Sequence, residues 1–294
     1  MAKFGITVTA FFLLLEAMAI ASAQQALTKN AILTNRIGPS GGELFIANGD
    51  GSGEHKLNSG GNMDYDAMFS TDGKWIVLTS ERNGAANIYR IHPDGSGLEQ
   101  LTDDDGFDDQ ASLSPDDNQL AFVSARDSGT TNIWVLDIKT RKARNLTGVP
   151  ALQAAAGKMD GFFRPSWSPD GKWIAFSSDR GTDFKRHKFP APGFEHIQAA
   201  SSYVIQPNGE GLRKLTPEGE MAGSPKWSAD GKQVVFYDMD AEYTFAGRLF
   251  GSATSQIISV DMATGDRCPL KNRSETHPAV NEPRTATIGI RFIV

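Results

Sequence analysis

From residue 69 onward the chain alternates apolar and polar positions in short bursts, and the bursts recur. An apolar residue (Phe69, Leu113, Trp167, Trp227) precedes a tight turn at Asp72-Gly73, Asp116-Asp117, Asp170-Gly171 or Asp230-Gly231, and a β-branched and aromatic run follows. Asp and Gly carry turn chemistry and the flanking residues suit a half-buried pleated surface, so each burst reads as a hairpin. Third strands are predicted at Ile88-Tyr89-Arg90-Ile91, Ile133-Trp134-Val135-Leu136, Tyr203-Val204-Ile205 and Ile257-Ile258-Ser259-Val260. Turns such as Asp94-Gly95-Ser96-Gly97 and Asn208-Gly209-Glu210-Gly211 lead to short fourth strands ending in Leu101-Thr102, Leu146-Thr147 and Leu215-Thr216. The predicted unit is a four-stranded antiparallel meander.

The turn aspartates at 72, 116, 170 and 230 lie 44, 54 and 60 residues apart. Four-stranded units at this period predict an all-β fold, a β-propeller, whose radial closure protects the sheet edges. Residues 31–57 match strands two to four of the 76–101 unit but lack a first strand, and Thr276-His277-Pro278-Ala279-Val280 falls where the next first strand is due. Pairing of these N- and C-terminal segments would close the ring. The count is five blades, with six as the alternative if the tail or the long loops hide another unit. After Val280 the expected turn is replaced by Asn281-Glu282-Pro283-Arg284, so 281–294 reads as a degenerate or truncated last blade.

At S-W-S-P-D-G-K-W-I-A-F-S-S-D-R-G (166–181), N-I-Y-R-I-H-P-D-G-S-G-L-E-Q-L-T (87–102) and P-K-W-S-A-D-G-K-Q-V-V-F (225–236) the chain resembles the TolB-like (WD40-like) β-propeller repeat family. The resemblance runs from about residue 31 to about 280 and implies the fold more than any activity. The family includes a periplasmic component of the Tol-Pal envelope system, the propeller domains of prolyl-oligopeptidase-type peptidases and some sugar-acting lyases. Each comparison meets a departure. An α/β domain precedes the propeller of the Tol-Pal protein, an α/β-hydrolase domain accompanies that of the peptidases, and clustered histidines hold a metal in the lyases. Here no stretch is left for either domain, and only two of five histidines lie near each other in sequence.

Residues 1–23 read as a secretory signal: Lys3, an apolar stretch from Phe4 to Ile20 interrupted by Glu16, and an Ala21-Ser22-Ala23 cleavage pattern. That leaves 24–294 as a single propeller domain, secreted to the bacterial periplasm or the exterior, monomeric and without a membrane span after cleavage. The lone Cys268 excludes an internal disulfide framework, so stability has to come from the core. A formal net charge of −6 gives no basic footprint for nucleic acid.

In a meander blade the turns between strands one and two, and three and four, emerge at one end. Those between two and three, and the links to the next blade, emerge at the other. The long insertions 148–163, 181–200 and 238–254 all belong to the second set, and loops on a rigid scaffold are where binding residues concentrate. They and the residues beside them supply Arg164, Arg186, His187, Glu195, His196, Asp238, Tyr243 and Arg248, a mixture of cations, carboxylates and an aromatic face suited to a polar ligand such as a sugar or an acidic peptide. The plainer alternative is that the loops pack on one another. His187 and His196 are the pair that would ligate a metal, but nine residues apart in a Pro-Gly loop is not a recognised ligand spacing, and no cofactor is expected.

Other motifs read as structure. The acidic run Asp103, Asp104, Asp105, Asp108, Asp109 lacks the EF-hand pattern and suits a solvated link. Gly38-Pro39-Ser40-Gly41-Gly42 matches G-x-S-x-G but falls in a hairpin turn. Asn145 and Asn272 head glycosylation sequons that matter only in a eukaryotic source. The recurring turn Asp is expected to cap its turn, and the Arg of Ser80-Glu81-Arg82 and Ser178-Asp179-Arg180 to bridge neighbouring blades. The sequence thus predicts a non-catalytic propeller that binds a protein or glycan through its loop-rich face. The alternatives are a carbohydrate-active lyase or hydrolase on the same face, and the propeller part of a larger enzyme.

Overall fold

The computed structural model describes residues 31–38, 41–57, 60–61, 63–127, 130–148, 161–180, 200–218, 220–240 and 255–270. The first 30 residues, Thr276–Val280 and most of the three long insertions therefore lie outside the described residues. Every described regular element is a strand, and the strands form five antiparallel sheets in two compact units.

The first unit holds two sheets. One has three strands, β1 (Ala31–Gly38), β2 (Gly41–Asn48) and β3 (His55–Lys56), in the order β1-β2-β3. Gly38 pairs with Gly41 across the β1–β2 turn, which is where the G-x-S-x-G match falls. The other has four: β4 (Asp64–Phe69), β5 (Ile76–Ser80), β6 (Asn87–Ile91) and β7 (Glu99–Gln100). Leu44, Ile46 and Leu57 of the first sheet pack against Ile76, Leu78, Tyr89 and Ile91 of the second. A Gly42–Met63 bridge and the Asn35 amide, which donates to Asp64 O at 3.0 Å, fasten the two at one end.

The second unit repeats the four-stranded meander three times. Its sheets are β8 (Asp108–Leu113), β9 (Gln119–Ser124), β10 (Asn132–Asp137) and β11 (Lys142–Asn145); then β12 (Phe162–Trp167), β13 (Ile174–Ser178), β14 (Ser201–Ile205) and β15 (Arg213–Lys214); and finally β16 (Glu220–Trp227), β17 (Gln233–Asp240), β18 (Gln256–Asp261) and β19 (Arg267–Pro269). Successive sheets stack face to face. Ala121, Val123, Ile133, Val135 and Leu146 meet Phe162, Trp167, Ile174, Phe176, Tyr203 and Ile205. On the other side of that middle sheet, Ala175, Val204 and Leu215 meet Ala222, Val234, Phe236, Ile258 and Val260. Stacking explains a departure from the half-buried expectation: β13 and β14 of this middle sheet are buried at every residue, because both of its faces are covered.

Two local devices recur in the four-stranded sheets. The turn between the first two strands is closed the same way each time. The hydroxyls of Ser70, Ser114, Ser168 and Ser228 donate to the carboxylates of Asp72, Asp116, Asp170 and Asp230 at 2.8, 2.5, 2.7 and 2.7 Å. The same hydroxyls accept the N–H of Trp75, Gln119, Trp173 and Gln233. The residue after each Asp takes a left-handed φ; Gly73, Gly171 and Gly231 do so at 68–70°, and Asp117 at 56°. The second device is a bulge inside the first strand, between Tyr65 and Met68, Asp109 and Ser112, Phe163 and Ser166, and Gly223 and Lys226. It sets Asp66, Gln110, Arg164 and Ser224 at φ 49, 55, 52 and 53°, where a side chain other than Asn, Asp or Gly is uncommon.

Candidate functional site

The first strand is the sheet edge in each meander, and its bulge lies just inside the end to which the long insertions attach. A bulge re-aims the side chain that follows it. In the second unit this gives Gln110, Arg164 and Ser224 the same position on three successive edge strands. Hydrogen bonds between sheets hold the row. Arg164 N–H donates to the Gln110 side-chain oxygen at 2.8 Å, Trp167 N–H to Ser112 Oγ at 3.2 Å, and Ser224 N–H to Ser177 Oγ at 3.0 Å. With its backbone fixed in this way, the Arg164 side chain is exposed. An amide, a guanidinium and a hydroxyl on rigid edge strands would suit carboxylates and peptide groups.

Asp238, the other described candidate, is a strand residue. β17 continues through Asp240, past the point where the sequence suggested a loop, because Ala222 and Gln256 flank Asp238 in register. Its carboxylate is buried and shares Arg267 with Glu220, at 3.0 Å from Asp238 Oδ2 and 2.5 Å from Glu220 Oε2. Burial, and then the negative charge of Glu220, push the Asp238 carboxyl above the usual range. Glu220 holds the Arg267 guanidinium in its charged form. Arg186, His187, Glu195, His196, Tyr243 and Arg248 lie outside the described residues. Among the described residues no group of three or more His, Cys, Asp or Glu is placed to hold a metal ion.

Where the sequence suggested bridges between neighbouring blades, Arg82 and Arg126 make bonds within their own sheets. Arg82 turns back within its own sheet, donating to Asp64 at 3.1 Å and to Ser80 Oγ at 2.9 Å beneath the Tyr89 ring. Arg126 does the same with Asp108 at 2.5 Å and Ser124 Oγ at 3.0 Å, over Phe122 and Trp134. The physical reason is burial: Asp64 and Asp108 open the first strand inside the sheet and need a cation there. In the next sheet Phe162 takes that place, and in the last Ala222 does, with the cation supplied by Arg267. The arginines that do cross between sheets sit in the fourth strands. Arg144 donates to Pro207 O, and Arg213 donates to Met262 O and approaches Met262 Sδ, both at 3.1 Å. Their roles were hidden in sequence because a two- to four-residue strand carries little pattern.

Edge strands bulged in register, four-stranded meanders and turns closed by Ser and Asp define a repeat protein of the β-propeller class. Residues 28–151 match the TolB beta propeller domain family. The chain is 25 % identical over 242 residues to the Tol-Pal system protein TolB of Francisella tularensis subsp. tularensis, covering 81 % of this chain and 48 % of that protein. It is 32 % identical over 126 residues to the uncharacterized peptidase YuxL of Bacillus subtilis, covering 41 % of this chain and 16 % of the peptidase. The crystal structure of TolB from Acinetobacter baumannii superposes with a TM-score of 0.62 at 21 % identity, over 83 % of this chain and 53 % of that one. The chain is thus similar to TolB-type β-propellers, and it spans about half or less of the length of these curated relatives.

Proposed function

We propose that this chain is a non-catalytic, exported propeller that binds a protein partner through its loop-rich end, with Arg164 at the contact. The observation that carries the reading is the bulge row. One backbone geometry presents an amide, a guanidinium and a hydroxyl at equivalent positions, which is how a repeat scaffold displays recognition groups. The similarity to Tol-Pal TolB proteins supports a protein partner over a glycan and the cell envelope as the place of action. Among the described residues no helix is long and apolar enough to cross a membrane.

The test is titration calorimetry of the purified chain against the Tol-Pal components of its source organism and against a panel of envelope glycans. Charge reversal by Arg164→Glu is expected to weaken the protein complex by about tenfold or more, the equivalent of roughly 1.4 kcal/mol. Glycan binding without protein binding, or an Arg164→Glu complex of unchanged affinity, would overturn the reading. A second reading, the propeller part of a larger peptidase, rests on the 32 % match to YuxL. Sequencing the complete transcript decides it.

A further inference from the structure

The outer edge of the second unit carries positive charge that the fold leaves uncompensated. β11 presents Lys142 and Arg144 on one face, two residues apart, and β15 presents Arg213 and Lys214; all four are exposed. Among the described residues none of the four is ion-paired with a carboxylate. The acids beside them close their own turns. Asp137 accepts the Thr140 N–H and hydroxyl at 2.7 and 2.8 Å, and Glu210 accepts the Asn208 amide at 3.0 Å. Partial shielding pushes the Arg144 guanidinium below its usual value, and no negative charge acts the other way.

The outermost strands of the other sheets differ. Lys56 on β3 is paired with Glu43 at 2.6 Å, β7 sets Glu99 against Arg90 at 2.6 Å, and Arg267 on β19 is shared by Glu220 and Asp238. Among the described outer strands, uncompensated cations are therefore confined to two successive sheets, in a chain of formal net charge −6. The two sheets are tied into one strip. Arg144 donates to Pro207 O, in the turn that leads into β15, which carries its guanidinium onto the next sheet. Arg213 reaches Met262 O in the same way. A guanidinium has five N–H donors, so fastening one sheet to the next leaves others, held in a fixed orientation, for an acceptor from outside.

We propose that β11 and β15 form a docking strip for an acidic segment of a protein partner, with Arg144 and Arg213 as carboxylate forks and Lys142 and Lys214 beside them. Charge complementarity calls for an anion, and planar guanidiniums anchored on one side favour carboxylates, which they meet through two parallel hydrogen bonds. A lipid surface fits less well. Surface binding to a bilayer adds apolar side chains to the cations, and the exposed large apolar residues described in this unit, Phe107, Ile257 and Leu270, are on neither strand. The strip lies on the edge of each sheet opposite to Gln110, Arg164 and Ser224, so it is a second surface and stands apart from the contact at Arg164.

Fluorescence anisotropy of the unmodified chain tests this, with a labelled Glu-Ser repeat peptide, its Gln-Ser counterpart, and phosphatidylcholine vesicles with and without phosphatidylglycerol as competitors. The Glu-Ser peptide is expected to bind and the Gln-Ser peptide not, with an affinity that falls as salt rises. Arg144→Gln with Arg213→Gln is expected to weaken binding about tenfold. Lys74→Gln with Lys172→Gln, which removes cations already paired with Asp72 and Asp170, is expected to leave it unchanged, as is Arg164→Glu. Edge cations that served only to deter strand pairing would show no such selectivity. If the arginine variant does not fold, Lys142→Gln with Lys214→Gln gives the same reading. No binding of the Glu-Ser peptide, binding that the strip variants leave intact, or binding lost in Arg164→Glu overturns the proposal. So does displacement of the peptide by phosphatidylglycerol vesicles at matched charge, which would make the strip a lipid-facing surface.

Discussion

The indole N–H of Trp227 on β16 donates to the backbone carbonyl of Ser166 on β12, 3.0 Å away, across the boundary between two sheets. Trp227 therefore serves twice, as apolar cover and as a fastener. Trp227→Phe keeps most of the ring and deletes the donor, and is expected to lower unfolding stability by about 1 kcal/mol. Urea denaturation monitored at the remaining tryptophans measures it; an unchanged midpoint would show that the bond contributes nothing.

Arg126 is the sole charged partner that the described structure gives the fully buried Asp108. Its removal leaves a carboxylate without compensation in the interior. Arg126→Ala is expected to cost about 3–5 kcal/mol, and pairing it with Asp108→Leu to restore part of the loss. Equilibrium unfolding of the single and double variants gives the comparison.

The turn aspartates set an acid limit. Asp72 is lowered to about 2, chiefly by the Lys74 ammonium, and Asp116, Asp170 and Asp230 are lowered chiefly by the serine hydroxyls beside them. A folded value below the unfolded one, about 3.9, means the native state resists protonation, so this stability is full above about pH 5 and is lost as pH falls toward 2. Asn at all four positions is expected to flatten the thermal midpoint across that acid range.

Asp238 has the opposite sign. Its folded value is raised, so the native state holds a proton that the unfolded chain releases. That contribution is complete below about pH 3.9 and is lost as pH rises through the folded value. Asp238→Asn cannot ionise, and its stability is expected to decline less than that of the natural protein from about pH 4 to pH 7. Parallel declines in the two proteins would exclude a raised Asp238.

Arg164 separates fold from recognition. Its φ of 52° suits glycine, so Arg164→Gly is expected to leave the unfolding midpoint equal or slightly higher while partner affinity falls about tenfold. Loss of both together would make Arg164 a structural residue.

The strand order was legible because each four-stranded meander announces itself with Ser-x-Asp followed by Gly or, once, Asp before an apolar run, and the strands fall on those runs. The three-stranded first sheet was legible by comparison: 31–57 matches strands two to four of the 76–101 unit without a first strand of its own. The bulge was not legible. Asp66, Gln110, Arg164 and Ser224 share no chemistry, and only the backbone shows that they share a conformation. The within-sheet bonds of Arg82 and Arg126 were not legible because recurrence in sequence does not distinguish a bond within a sheet from one between sheets. Asp238 looked like a loop carboxylate because its Asp-Met-Asp context interrupts the apolar run. The pairing that buries it comes from Glu220 and Arg267, far away along the chain.

A backbone that accepts Asp, Gln, Arg and Ser at the same left-handed angle has uncoupled the identity of that residue from the folding of the strand that carries it. Exchange among them alters charge and hydrogen-bonding capacity at nearly constant conformational cost. Specificity in such an array is a matter of writing different letters into slots whose geometry is already settled, and a change of partner would require no change of core.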